Sequence, residues 1–395
     1  MSVAGSPRLW LAAILMAVPI IAQAQPAPAL HLEIVGSAQP AVLAGTRCDA
    51  LDIPDAPARA IRLTSGQVQL YAVSQNNRVE TGPDLLHLTH RCATVFQGAH
   101  NDDPAAFDDR AWITTPWTPD GRTVWAIVHN EFQGHWRPAL CPSKTYMQCW
   151  YNTLTAAVSR DGGSHFTRSL PDSIVASLPY QYTELPPGHH GYFNPSNIVT
   201  YGGMHYVFTF ATKALAQQEG NCLLRTQDLE APSTWRAWSG ADFSVAFSNP
   251  YGANAASTPP TDHLCTPVAA HSLCWPVTSL VRHAATGLFI ALMQDTSING
   301  GVFYSTSNDL IHWSGPAMLM PAVGLGVWTC KEPPPLAYPS MLDPDSPDRN
   351  FETLGDTAQL FATRFNVTAC RTGLDRSLIR WSVRIGPATR FRELP

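Results

Sequence analysis

The chain has 395 residues, of which 45% are apolar and only 14% are charged, and its formal net charge is −5. So few Lys and Arg residues exclude the basic surface that binds nucleic-acid phosphates, and the apolar fraction excludes a disordered chain. The 34 prolines outnumber the 26 glycines, and charges are too scarce for the exposed faces of long helices. An all-β, loop-rich protein with a large core is therefore expected.

Residues 1–24 have the pattern of a secretory signal peptide. Arg8 precedes an apolar run from Leu9 to Ile21, and Ala22-Gln23-Ala24 forms a cleavage site of the A-x-A type. The run is short for a retained anchor helix, which is the alternative. The remaining chain, 25–395, is expected to be one domain in the periplasm or outside the cell, with no membrane as partner.

The nine cysteines are interpreted in the light of export, because disulfides persist in oxidising compartments. The predicted pairs are Cys48–Cys92, Cys141–Cys149, Cys265–Cys274 and Cys330–Cys370. This pairing leaves Cys222, in an apolar run, as a buried free thiol. No Cys-x-x-Cys pair occurs, so neither a zinc ribbon nor a thioredoxin-like site is supported.

A structural unit recurs along the chain with a period of about 70 residues, in the range of propeller blades with insertions. In each copy an alternating strand reaches Ser or Thr, an Asp two places on caps a tight turn, and an aromatic residue follows. The clearest copies are Ala156–Phe166, Leu223–Trp235 and Val302–Trp313. The repeat predicts successive, equivalent β units.

Five strand openings alternate with five strongly apolar second strands. The openings are at 57–61, 109–113, 194–198, 275–280 and 338–342, and the second strands are at 68–74, 123–129, 205–212, 287–294 and 358–363. A two-sheet sandwich has similar short strands but would not repeat this order. The fold class is therefore predicted to be an all-β, five-bladed β-propeller, each blade with about four antiparallel strands. The predicted blades span 50–97, 105–170, 190–240, 275–316 and 336–392.

Two segments of the repeated strand-and-turn unit resemble segments of known families. Ser159–Phe166 looks like the Asp box of sialidases, and Ser307–Trp313 is similar to a blade strand of five-bladed glycoside hydrolases of the arabinanase, xylosidase and invertase-like families. The resemblance implies the propeller architecture and a carbohydrate substrate or ligand. Its motifs specify fold more than chemistry, since the Asp box is a structural turn.

Arabinanase-like members of this group resemble one another in having acidic residues at the openings of blades one, two and three. Here Asp52 or Asp55 matches the first position and Asp109 the second, whereas Asn194 to Asn197 offers no acid at the third. The implied triad is incomplete. Either Glu131 replaces the missing acid from a neighbouring strand, or the protein binds a glycan without cutting it.

The sharpest local feature is an apolar strand that ends abruptly in His129-Asn130-Glu131. Glu131 is the candidate general acid if burial raises its pKa, and Asp109 is the candidate base or nucleophile. Asp295 is the substitute for the second carboxylate. The alternative is that Glu131 merely pairs with Arg59 or Arg110 across the channel mouth.

Polar and aromatic residues at strand openings and in long loops are expected to converge at the channel mouth and to bind substrate. These are Arg59, Arg110, His129, Asn130, Trp136, His189, His190, Asn194, Tyr338 and Arg364. No metal or other cofactor is predicted, and a calcium ion in the central channel, held by oxygen ligands, is the alternative. The sequence thus favours an exported, monomeric glycoside hydrolase-like protein; a non-catalytic glycan-binding propeller is the other hypothesis.

Overall fold

The computed structural model describes residues 1, 26, 28–168, 173–185, 188–253, 255 and 257–387, so all of the predicted signal peptide except Met1 lies outside the described residues. Within this part of the chain, every regular element is a β-strand or a short 3-10 helix, which confirms the all-β class. None of the described helices is long and apolar enough to cross a membrane.

The strands of the described residues are β1 (Leu30–Val42), β2 (Arg59–Arg62), β3 (Val68–Tyr71), β4 (Glu80–Gly82), β5 (Thr89–His90), β6 (Arg110–Trp117), β7 (Val124–Gln133), β8 (Trp150–Ser159), β9 (Thr167–Arg168), β10 (Ile174–Ala176), β11 (His190–Phe193), β12 (Val199–Tyr201), β13 (Met204–Ala211), β14 (Gly220–Thr226), β15 (Arg236–Ala237), β16 (Val277–His283), β17 (Phe289–Asp295), β18 (Gly301–Ser307), β19 (Ala317–Pro321), β20 (Leu336–Leu342), β21 (Thr353–Leu354), β22 (Thr357–Phe365) and β23 (Arg376–Pro387). The 3-10 helices are Ala44–Thr46, Pro104–Ala106, Gly134–Trp136, Met147–Cys149, Pro232–Thr234, Pro260–His263 and Leu325–Val327.

Most strands pair antiparallel with their neighbours in the chain. The resulting groups are β2 to β5; β6 to β10; β11 to β15; β16 to β19 with the parallel β21; and β20, β22, β23 and β1. Each predicted second strand is present, as β3, β7, β13, β17 and β22. Because β8 and β11 pair in parallel and join two groups into a ten-stranded sheet, the number of blades stays a prediction.

Strand β1 was not predicted. It pairs antiparallel with β23 from Leu30 opposite Pro387 to Val42 opposite Leu378, and buries Leu30 and Leu32 in the core. The N-terminal segment thereby completes the group formed by the C-terminal strands. Its shift in register after Val35 weakens the alternation of apolar and polar residues on which sequence-based prediction depends.

Buried asparagine side chains join neighbouring groups of strands. The Asn77 amide donates to the Ala111 carbonyl at 2.7 Å and accepts from the Ile113 backbone N–H at 2.6 Å. In the same way the Asn197 side chain accepts from the Leu280 N–H at 2.9 Å. A buried amide that bonds to two backbone groups fixes both position and register, because leaving either bond unmade would be costly.

The predicted turn caps are confirmed. The Asp161 carboxylate accepts from the backbone of Ser164 at 3.1 Å and of His165 at 3.0 Å, and Asp309 accepts in the same manner from Ile311 and His312. The aromatic residues that follow, Phe166 and Trp313, are buried. These acids therefore serve the turns of the fold.

Three of the predicted disulfides are confirmed, and the fourth is wrong. Bridges join Cys48 to Cys92, Cys141 to Cys149 and Cys330 to Cys370, but Cys265 is bonded to Cys222. Cys274 is the free, exposed cysteine among the described residues. The segment that contains Cys265 runs beside β14, where the Val268 N–H donates to the Asn221 carbonyl, so Cys222 faces Cys265 across this contact.

Candidate active site

A cavity of about 130 Å³ lies where the segment before β2 meets strands β6, β7, β8, β11 and β20. It is lined by Asp55, Trp112, Thr114, His129, Glu131, Trp150, His189, Phe193, Asn194 and Tyr338. A cavity of about 150 Å³ is known to accommodate one benzene-sized ring. The space therefore suits one small ring, and its wall holds two carboxyl groups, Asp55 and Glu131.

Glu131 lies on β7, between Arg110 on one neighbouring strand and Asn152 on the other. The Gln133 side-chain amide donates to Glu131 Oε2 at 2.9 Å. Burial raises the pKa of Glu131 to about 8, helped by the charges of Asp55 and Asp109 and opposed by the Gln133 hydrogen bond and the Arg110 charge. The Glu131 carboxyl is therefore protonated at neutral pH, as a general acid requires.

His129 stands next to this carboxyl group. Its Nε2 lies 2.9 Å from Asn152 Oδ1 and 3.9 Å from Glu131 Oε1. Burial lowers the pKa of His129 to about 4, against the hydrogen bond to Asn152. A neutral imidazole places no positive charge beside Glu131, so His129 does not favour loss of the proton from the Glu131 carboxyl group.

Asp55 has different partners. It forms an ion pair with Arg376, and the Tyr338 hydroxyl donates to Asp55 Oδ1 at 3.2 Å. Burial raises the pKa of Asp55, while the Arg376 charge and both hydrogen bonds oppose that rise by stabilising the anion. The guanidinium carbon of Arg376 lies 4.4 Å from the centroid of the Phe365 ring. The two carboxyl groups of the cavity thus have unlike surroundings.

Several nitrogen atoms near the two acids have no hydrogen-bond partner among the described residues. They are Trp150 Nε1, His189 Nδ1 and Arg110 Nε, all buried. Buried polar groups without a partner cost free energy, so sites of this kind are suited to a ligand that supplies the missing bonds.

The structure places Asp109 outside the cavity wall. The Asp109 carboxylate accepts from the Gln133 backbone N–H at 2.9 Å and forms an ion pair with Arg137 at 2.8 Å. Both contacts occupy Oδ2 and secure the end of β7 to the loop that follows. The predicted partner of Glu131 therefore does not line the cavity, whereas Asp55 does.

Arg59 and Asn130 are buried in structural positions. The Arg59 guanidinium donates to the backbone carbonyls of Pro195 at 3.1 Å and Thr278 at 2.7 Å, so it joins three groups of strands. Burial lowers the pKa of Arg59 to about 9. A calcium ion does not fit here, because the guanidinium already uses the carbonyl oxygens and would repel it. Asn130 donates to Thr155 Oγ1 at 2.7 Å within the sheet.

Four other predicted site residues lie away from the cavity. Asp295 accepts from the Ser297 N–H in an exposed turn, and Arg364 lies beside Asn366. His190 bonds to the Leu185 carbonyl, and Trp136 is 67% exposed. Of the residues predicted from the sequence, the structure brings together Glu131, His129, His189, Asn194 and Tyr338, with Arg110 beside Glu131.

His189 also forms part of a second, larger cleft. This cleft has a volume of about 600 Å³ and is lined by Met147, Leu185, Gly188, His189, His190, Thr212, Lys213, Ala214, Leu215 and Glu219. Since His189 contributes to both walls, the cleft adjoins the cavity.

Trp112, Trp150, Phe193 and Arg376 were missed as site residues. Trp112 is on β6 near the predicted opening, and Trp150 starts β8 directly after Cys149, so chain position alone could have suggested them. Arg376 has no such signal, because it is separated from Asp55 by 321 residues.

No protein-family model and no curated protein matches the chain. Solved structures with a similar fold include the catalytic domain of a GH62 α-L-arabinofuranosidase from Coprinopsis cinerea, 9% identical, covering 89% of this chain and 97% of that one at a TM-score of 0.47. An α-L-arabinanase from Cellvibrio cellulosa, complexed with arabinohexaose, is 10% identical and covers 83% and 91% at 0.47. A GH43_1 enzyme from Xanthomonas citri is 12% identical and covers 89% and 89% at 0.47. All three belong to the class to which the sequence resemblance points.

Proposed function

We propose that this chain is an exported glycoside hydrolase, built on a five-bladed β-propeller, whose reaction takes place in the cavity between Asp55 and Glu131. The observation that carries this proposal is the presence of two carboxyl groups, the buried Glu131 and the half-buried Asp55, in one cavity with unlike surroundings. Paired carboxyl groups whose environments separate their protonation states are the basis of most glycoside hydrolysis.

In the proposed reaction Glu131 is the general acid and gives its proton to the oxygen of the departing sugar or aglycone. Asp55 is the ionised partner, which either activates the attacking water or attacks the anomeric carbon itself. Arg376 and Tyr338 hold the Asp55 carboxylate in place. The Gln133 amide leaves Oε1 of Glu131 free to carry the proton, since it bonds to Oε2.

The shape and lining of the cavity support a carbohydrate as substrate. The volume of about 130 Å³ is close to that of a cavity that holds one six-membered ring. Trp112, Trp150 and Phe193 offer apolar ring surfaces, and the unpartnered nitrogens of Trp150 and His189 offer hydrogen bonds. Sugar rings combine an apolar face with a hydroxyl edge, which this combination of side chains recognises.

The finer points of architecture and location belong to the same proposal. Five antiparallel groups of strands follow one another along the chain, and the Arg59 guanidinium joins segments of three of them, as expected near the axis of a propeller. The four disulfides support export to an oxidising compartment.

A glycan-binding propeller without catalysis is the second candidate. It is favoured by Asn194, which lines the cavity near the third strand opening, where the family resemblance implies an acid. Whether the protein hydrolyses a carbohydrate decides between the hydrolase and the glycan-binding candidate. The purified protein is assayed on aryl α-L-arabinofuranosides, β-D-xylosides and β-D-galactosides and on oligosaccharides of two to six units. Binding without hydrolysis would establish the lectin-like candidate.

The roles of the two acids are tested with leaving groups of different pKa. We expect Glu131→Gln to lower kcat on an unactivated disaccharide by about 10²- to 10⁴-fold. It should retain much more activity on a 2,4-dinitrophenyl glycoside, whose leaving group needs no proton. Asp55→Asn should lose activity on both substrates. If Glu131→Gln loses activity by the same factor on both substrates, Glu131 is not the general acid.

A further inference from the structure

A continuous series of ring contacts runs from the protein surface to the cavity. The centroid distances are 4.6 Å from Trp136 to His135, 4.8 Å from His135 to Tyr146, 5.1 Å from Tyr146 to Trp150 and 4.8 Å from Trp150 to His189. Trp136 is 67% exposed and Tyr146 41% exposed, whereas Trp150 and His189 line the cavity. The series therefore joins an open aromatic surface to the two carboxyl groups.

The loop that carries the two exposed rings is held firmly. Arg137, next to Trp136, forms ion pairs with Asp109 and Asp102, both at 2.8 Å. The Cys141–Cys149 disulfide closes the loop on either side of Tyr146. An exposed tryptophan is unremarkable by itself, but a rigid aromatic pair continuous with a site is pre-organised to bind.

We propose that Trp136 and Tyr146 form a carbohydrate platform, the Trp136 platform, which stacks the sugar units that extend beyond the one in the cavity. This inference rests on the proposed hydrolase function. It assigns the substrate class: an oligosaccharide or polysaccharide chain, with one unit in the cavity and the next units along the platform. Rigid aromatic side chains suit this role, because they supply contact area while little side-chain entropy is lost.

The cleft of about 600 Å³ beyond His189 is the competing route for the same chain. Its described lining includes Lys213 and Leu215, which is 58% exposed, and among these described residues only the histidines are aromatic. The planar faces that sugar rings stack on lie on the Trp136 side. The two routes leave the cavity past different residues, so variants separate them.

The test compares KM for a series of oligosaccharides of two to six units, using whichever sugar the protein hydrolyses. We expect the wild-type KM to fall with length, and Trp136→Ala to raise the KM for the six-unit substrate at least 10-fold more than that for the two-unit substrate. Trp136→Phe should restore most of the length dependence. Leu215→Ala, on the cleft, and Tyr201→Ala, a 40% exposed aromatic at the end of β12, are the matched controls.

Four outcomes are distinguishable. Loss of the length dependence in Trp136→Ala alone supports the platform. An unchanged ratio of KM values in Trp136→Ala, with turnover intact, overturns the platform but not the hydrolase. Loss in Leu215→Ala instead places the chain in the cleft and overturns the platform. If titrations of tryptophan fluorescence with each six-unit oligosaccharide show no binding and no substrate is cut, platform and proposed function both fail.

Discussion

Asp52 and Asp55 lie in one short segment before β2, yet they belong to two different clusters of polar side chains, which differ in how their acids are paired with cations. Asp52 accepts from His90 Nε2 at 2.7 Å and from the Cys48 N–H at 2.7 Å, with Arg78 3.7 Å away, and Glu80 lies on the other side of His90 at 3.1 Å. Hydrogen bonds to Asp52 and Glu80 raise the pKa of His90 to about 9. Each carboxylate here has a cation beside it.

The two acids that line the cavity, Asp55 and Glu131, have fewer charged hydrogen-bond partners than the acids around His90. Asp55 has Arg376, but the hydrogen bond to Glu131 comes from the neutral Gln133 amide. Burial then leaves Glu131 protonated, whereas at Asp52 the effect of burial is outweighed by the hydrogen bonds from His90 and the Cys48 N–H and by the His90 and Arg78 charges, which lower the pKa. The difference teaches that a buried acid hydrogen-bonded to a cation serves stability, while a buried acid whose hydrogen-bond donor is a neutral amide is available for chemistry.

The largest expected effect comes from exchanging the matched aspartates for asparagine. Asp55→Asn should lower kcat by about 10²- to 10⁴-fold, because the partner of the acid is lost. Asp52→Asn should leave kcat per folded molecule unchanged but lower the free energy of unfolding by about 3 kcal/mol, because His90 loses its strongest partner. Steady-state kinetics and urea unfolding on both variants measure this. A loss of kcat in Asp52→Asn would erase the distinction between the clusters.

Glu131 should make the protein less stable than its glutamine variant. Its pKa is raised from 4.5 to about 8, so above pH 4.5 the unfolded chain ionises while the folded one stays protonated. The stability that the protonated form contributes is lost as pH rises through this window. At neutral pH Glu131→Gln should therefore be more stable by about 2 to 3 kcal/mol, although it turns over unactivated substrates more slowly.

Urea unfolding at several pH values checks this, and the two proteins should be equally stable below pH 4.5. In the same pH series, kcat/KM of the wild type should fall as pH rises through about 8, when Glu131 loses its proton. A kcat/KM that stays flat across that range contradicts the role of Glu131 as acid.

His90 should give a smaller effect of pH on stability. Its folded pKa of about 9 lies above its ordinary 6.5, so its contribution is complete below 6.5 and disappears as pH rises to 9. We expect a loss of about 1 to 2 kcal/mol, because solvent screens part of the interaction. His90→Gln should lack this component of the pH dependence. An identical pH profile in both proteins would show that His90 is not the titrating group.

The sequence allowed prediction of features that depend on local pattern. The second strands follow the alternation of apolar residues, and the Asp161 and Asp309 caps lie within a few residues of the N–H groups they accept from. Glu131 was found because a polar cluster that ends an apolar strand is unusual. These signals are contained in a short stretch of chain.

Other parts of the site depend on contacts between distant segments. Asp55 and Asp109 both precede a strand, and the sequence alone does not tell which of them faces the cavity. In the structure Arg376 and Tyr338, both from strands near the C-terminal end, contact Asp55 at the cavity, whereas Asp109 forms an ion pair with Arg137 instead. The Cys222–Cys265 bridge was missed for a similar reason, since nearest spacing favoured Cys274.

The smallest expected effects separate the two remaining acids that the sequence favoured. Asp109→Asn should lower kcat/KM about tenfold, because the Arg137 ion pair and the Gln133 N–H contact hold the end of β7 on which Glu131 lies. Asp295→Asn should change kcat/KM less than about twofold and stability by less than about 0.5 kcal/mol, since asparagine still accepts from the Ser297 N–H. The two variants make the same substitution at an acid that holds the end of β7 and at one in an exposed turn away from Glu131. Asp295→Asn with a kcat loss as large as that of Asp55→Asn would make Asp295 the second carboxylate, and the cavity would not be the site of the reaction.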